Sequence, residues 1–171
     1  MKRFVRSVSV LLGTLLWLAC SGAYEDRQHL FHIERSKNEN IVQYDVHTTQ
    51  DGDLAGRAPV FVYWILENGE RCELSRFQRN HAYGIDSQER LENNRYEIVL
   101  TALRERKITV KETSDGYRAF TLINGTEGIL ERIYVESKNG IIGLPKVVYV
   151  DIVGEDTQST ARVTERIFLH D

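Results

Sequence analysis

The sequence predicts a mainly β fold: an antiparallel meander forming a barrel or sandwich of about nine strands, with one short helix packed on it. Three observations carry this reading. Short segments rich in Val, Ile, Tyr and Phe follow one another from "LFHIERS" to "TARVTERIFL". Asp115-Gly116 and Asn124-Gly125 stand between apolar-alternating segments, where such dipeptides form the tight turns of hairpins. Only "ELSRFQRNHAYG" spaces its side chains for a helix, with Leu74, Phe77 and His81 in phase and Gly84 as a stop.

The elements follow in order. "LFHIERS" and "NIVQYDVHTT" flank the polar turn Lys37 to Asn40 and read as a hairpin. Pairing Ile33 with Tyr44 sets Phe31 opposite Val46, His32 opposite Asp45 and Glu34 opposite Gln43. One face is then apolar and the other polar, and other odd-sum registers keep the same faces. The third strand lies in "PVFVYWILENG", where Phe61, Tyr63 and Ile65 fall on one face and Val60, Val62, Trp64 and Leu66 on the other. Both faces are apolar, so both need cover. One is expected to meet the interior, and the helix Glu73 to Ala82 to cover the other with Leu74 and Phe77. Phe77→Ala is then expected to cost about 3 kcal/mol. Ser87 to Asn94 reads as a polar connection. The remaining strands are "RYEIVLTAL", "KITVKET", "YRAFTLI", "GILERIYVES", "KVVYVDIV" and "TARVTERIFL".

Composition narrows the class. The 171 residues, 42% hydrophobic and 27% charged, suffice for one domain with its own core. Lys2, Arg3 and Arg6, the apolar run Val8 to Ala19, and Ser21-Gly22-Ala23 have the layout of a secretory signal peptide. This predicts a signal peptide at 1–23 and a single β-rich domain at 24–171, periplasmic or secreted. A lipid anchor on Cys20 is the alternative, although Trp17 stands where such sites usually carry Leu. The apolar run falls short of the ~20 residues of a membrane-spanning helix, so no span is expected in the mature protein. Cleavage removes three of the 22 basic residues and none of the 25 acidic ones, taking the net charge from −3 to −6. No concentrated basic stripe remains, which argues against nucleic acid as a partner. Cys72 then stands alone, so no internal disulfide is expected.

"IERSKNENIVQYDV", "APVFVYWI" and "HAYGID", in that order, give the chain a resemblance. With these ERSKN, PVFVYWI and AYGI motifs it resembles an uncharacterised family of exported bacterial proteins classed only as a domain of unknown function. The likeness is best from Leu30 to Asp86 and extends through the meander. The resemblance implies an exported single domain of this size and supplies no catalytic residue, ligand or cofactor.

The candidate site is the polar face of the first hairpin, where His32, Asp45 and His47 stand with Glu34. Imidazoles and carboxylates together suit a divalent ion. A hairpin gives them proximity without an enclosing wall, so the expectation is a solvated face with no metal and no cofactor. His29 adds nothing to this set, since strand alternation points it away from His32. Cys72 and His81, nine residues apart, would be ~13 Å apart along a helix, too far for proton transfer. Asp151 in "VVYVDIV" is either a buried carboxylate with a raised pKa or a solvent-facing one. No phosphate-cradling Gly loop, nucleophile elbow or H-E-x-x-H helix occurs. The reading is therefore a non-enzymatic domain binding a small apolar ligand or an envelope protein. The alternatives are a metal-dependent or hydrolytic enzyme using the hairpin face and a structural envelope protein.

Overall fold

The computed structural model describes residues 26–139 and 145–169, and the candidate signal peptide and Cys20 lie outside them. Among the described residues eleven strands form one mixed sheet: β1 (Asp26–Arg35), β2 (Asn38–Thr48), β3 (Val60–Ile65), β4 (Arg71–Cys72), β5 (Ile85–Arg90), β6 (Tyr96–Leu100), β7 (Leu103–Thr113), β8 (Gly116–Ile123), β9 (Thr126–Asn139), β10 (Pro145–Asp156) and β11 (Arg162–Phe168). Among the described residues a single short helix, α1 (Arg76–His81), lies between β4 and β5. The strand order is β4-β3-β2-β1-β9-β8-β7-β6-β5, with β10 on β9 and β11 on β10. The sheet is barrel- or sandwich-like without closing.

Local turns explain most of this order. Asn124 and Gly125, at φ 52° and 82°, make the left-handed pair that a tight β8–β9 hairpin needs. One pairing has no local signature. β1 joins β9 in parallel, His32 opposite Arg132 to Arg35 opposite Val135, while β8 occupies the same strand up to Ile129. β1 and β8 thus take successive stretches of β9 and part between them. Polar composition also hid β5, which lies partly in the expected connection Ser87 to Asn94. It is an edge strand held by its ladder to β6 and is largely solvated.

The sheet curls around one hydrophobic core. Phe31 and Tyr44 stack with ring centroids 4.4 Å apart, and Tyr96, Ile98, Leu100, Ile108 and Ile152 are fully buried with them. The hydroxyls of Tyr44 and Tyr96 donate to the carbonyls of Tyr83 and Gly56, so these large side chains bury no orphaned polar tip.

The first hairpin differs from the expected register. His29 stands opposite Asp45, Phe31 opposite Tyr44 and His32 opposite Gln43, with an irregularity between His29 and Phe31. The apolar face survives because the offset beyond that point is two residues. The extra residue at Leu30 shifts the alternation, so His29 and His32 share a face after all.

The helix also departs from expectation. α1 has six residues, none buried, and Phe77 is 69% exposed against His81. The expected 3 kcal/mol loss at Phe77 has no packing behind it. Leu74, just before the helix, is the residue that reaches the core. Gln78 accepts both the Ser75 N–H in a capping box and the Trp64 indole N–H, at 2.9 and 3.2 Å. α1 therefore rests against an inner-face side chain of β3. The Phe61/Tyr63 face is covered only in part, and by its own sheet: His47 stacks on one side of Phe61 at 3.8 Å, and the Arg71 guanidinium lies 4.9 Å from the buried Tyr63 ring. Gly84 ends the segment as expected, because a Cβ there would lie 1.8 Å from the Arg79 carbonyl oxygen.

Candidate functional site

β2 alternates Val42, Tyr44 and Val46 inward with Gln43, Asp45 and His47 outward, and β1 adds His29 and His32 to the outward set. This face is not simply solvated. Asp45 and His47 are only 2% and 4% exposed. The Asp45 carboxylate accepts hydrogen bonds from the Tyr63 hydroxyl, from Gln43 Nε2 at 2.8 Å and from His29 Nδ1 at 3.3 Å. Burial pushes its pKa up, but the His29, Tyr63 and Gln43 hydrogen bonds outweigh it and hold the carboxyl below the ordinary range. The same contact works the other way on Tyr63, whose phenol is pushed up to about 12 by burial and by the neighbouring carboxylate. A phenol held in that direction is a donor and a poor nucleophile.

His32, Asp45 and His47 do share a face, yet each has a different partner. His32 Nε2 is 3.1 Å from Glu34 Oε1, Asp45 holds Tyr63, and His47 lies on Phe61. Glu34 is paired in turn with Arg132 across the parallel β1–β9 junction. Among the described residues, no three His, Cys, Asp or Glu side chains are grouped so that they could hold a metal ion. Cys72 is half-buried on β4, and His81 ends α1 on a separate element. Asp151 is buried but not raised. The Arg166 guanidinium donates to both its oxygens at 2.7 Å and holds its pKa down against desolvation.

Two clefts flank the hairpin face. One, of about 460 Å³, opens beside β9 where β1 and β8 part from each other and is lined by His29, His32, Asp115, Arg118, Glu131 and Glu155 among others. The other, of about 580 Å³, opens at the seam between β3 and β5. Phe61, His47, Arg27, Val62, Ile85 and Gln88 are among its lining residues, and Phe61 is 43% exposed there. Both fall within the roughly 300–1,000 Å³ of ordinary ligand clefts.

Each seam is spanned by a glutamine amide. Gln28 on β1 accepts the Tyr117 N–H at 2.9 Å and donates to the Asp115 carbonyl at 3.2 Å. Gln88 on β5 accepts the Val60 N–H at 3.1 Å and donates to the Val60 carbonyl at 3.0 Å. Sequence reading missed both glutamines, and also His29, Gln43 and Tyr63. Only Tyr63 carried a signal, as a polar-tipped ring in an otherwise apolar strand.

Residues 31–166 match the family described as Domain of unknown function (DUF4833). The chain belongs to this family. The match runs from Phe31 in β1 to Arg166 in β11, so it takes in the hairpin face apart from His29 and most of what lines both clefts. No curated protein and no solved structure shows significant similarity to the chain. Among the described residues of this DUF4833 chain, no helix is long and apolar enough to cross a membrane.

Proposed function

We propose that the chain is an exported, non-enzymatic binding domain whose site is the groove at the β3–β5 seam, taking a small apolar ligand or an envelope partner. The carrying observation is the contrast between Phe61, half open in that groove, and the hairpin's ionisable groups, which are engaged with one another. An exposed aromatic beside apolar walls offers binding area. A carboxylate saturated by three donors and a phenol of raised pKa offer neither a free general base nor a nucleophile. The large buried side chains Phe31, Tyr44, Tyr96 and Leu100 in the interior support the surface groove over a barrel lumen as the site. Export rests on the composition of residues 1–23, with processing after Ala23 preferred over acylation of Cys20.

Native mass spectrometry of protein purified from an exporting bacterium tests both parts. The reading expects a chain beginning at Tyr24 and a non-covalent adduct that Phe61→Ser removes and His32→Ala keeps. Retention of Met1 or a lipid on Cys20 contradicts the processing. Turnover of an ester or phosphate reporter, lost in His29→Ala and Asp45→Asn, would replace the binding reading with a hydrolytic one.

A further inference from the structure

The outer edge of β3 is paired at one end, mimicked at the other and open between. His47 donates its N–H to the Pro59 carbonyl at 2.9 Å, which fixes the phase of the β2–β3 ladder. Phe61, Tyr63 and Ile65 therefore turn their main-chain groups toward β2, and Val60, Val62 and Trp64 turn theirs outward. Trp64 faces Cys72 of β4. Val60 has both its N–H and its C=O bonded by the Gln88 amide, as a strand residue would bond them. Continuing the β3–β4 register would bring residue 74 opposite Val62, but there the chain leaves the sheet to enter α1. Among the described residues no hydrogen-bond partner stands at the outward N–H and C=O of Val62.

We infer that this slot accepts an extended polypeptide segment, added to β3 as a short strand through the main-chain groups of Val62. This rests on the groove being the binding site and goes further by naming the partner class. The occupant follows from register. A real strand at Trp64 and a strand mimic at Val60 lie one repeat to either side of Val62, so the position between them is shaped for a residue offering one N–H and one C=O. Small apolar ligands fill the walls of the groove and leave that pair unmet. The Gln88 side chain, unlike a backbone strand, can rotate away, which would extend the slot to Val60.

The test uses the capped pentapeptide acetyl-Thr-Val-Thr-Val-Thr-amide, titrated into the ¹⁵N-labelled protein and followed by NMR. Saturable shifts are expected at the amides of Val62 and its strand neighbours. A single N-methyl group on the central valine should weaken binding about tenfold, because it deletes a main-chain hydrogen bond and leaves the side chains alone. Val62→Pro should weaken binding similarly, and it spares the β2 ladder because that N–H points outward. Gln88→Ala should tighten it about threefold by freeing Val60. Binding unaffected by N-methylation, or no shift at Val62 even with Gln88→Ala, overturns strand addition. The adduct lost in Phe61→Ser tests the groove itself, so the two failures are distinguishable.

Discussion

Two seams in this sheet are spanned by the same side chain and behave as different devices. At the β1–β8 seam, Gln28 bonds residues on both sides of Gly116, and both strands are anchored on β9. At the β3–β5 seam, Gln88 bonds Val60 alone, and no ladder joins the two strands. The first amide completes a junction already held by the ladders of β1 and β8 to β9. The second is itself the junction, so what lies beside it stays open. The difference teaches that a side-chain amide can substitute for a strand, and that the surrounding ladder decides whether the substitution is permanent.

Substitution at Gly116 should break the first seam most severely. Its φ is +97°, and a Cβ there would come within 2.4 Å of the Gln28 amide. Gly116→Val should therefore lower stability by about 3 kcal/mol, through backbone strain together with displacement of Gln28. A urea midpoint within error of the wild type would show that the turn relaxes without involving Gln28.

Acid should separate the seams from the hairpin face, because amides do not titrate and carboxylates do. Asp45 and Asp151 are both held below the ordinary range, so each stabilises the fold above the unfolded value of about 4. That contribution is lost as pH falls through the folded values. Stability should be nearly flat from about pH 8 to 5 and fall below about pH 4. Asp45→Asn should flatten part of that fall, and Gln28→Ala should leave it unchanged. A midpoint constant down to pH 3 would contradict the assignment of these carboxylates.

Gln28→Ala, which strips the Tyr117 N–H of its partner, should cost about 1 kcal/mol by denaturant titration. Gln88→Ala should cost about 0.5 kcal/mol or less, since groove water can take over at Val60. An equal or larger loss at Gln88 would make the β3–β5 seam structural and remove the contrast. Phe77→Ala, on the exposed face of α1, should change stability by less than about 0.5 kcal/mol.

The pattern of what the sequence disclosed follows the range of the forces involved. Hairpins with Asn124-Gly125 and Asp115-Gly116 turns were legible because turn chemistry is local, and the inward set Val42, Tyr44 and Val46 followed from alternation. The bulge at Leu30 was not legible, since "HLFHI" offers two apolar neighbours and no glycine to mark an extra residue. Missing it separated His29 from the face it joins. The parallel β1–β9 pairing depends on chain closure over about a hundred residues, which no short window encodes. Helical spacing at Leu74, Phe77 and His81 overstated α1, because a six-residue helix cannot present a continuous stripe. Gln88 was hidden in a polar segment that reads as a loop, so the site's most consequential amide left no trace in the pattern.

Native-state amide hydrogen exchange along β3 tests the central claim, an open main-chain position flanked by a strand and a strand mimic. Phe61 and Tyr63, bonded to β2, should be protected. Val60 should be protected in the wild type and lose that protection in Gln88→Ala. Val62, lying between them, should exchange at least about tenfold faster than Phe61 or Tyr63. Protection at Val62 equal to that of its neighbours would mean that its N–H already has a partner, and the open slot would not exist.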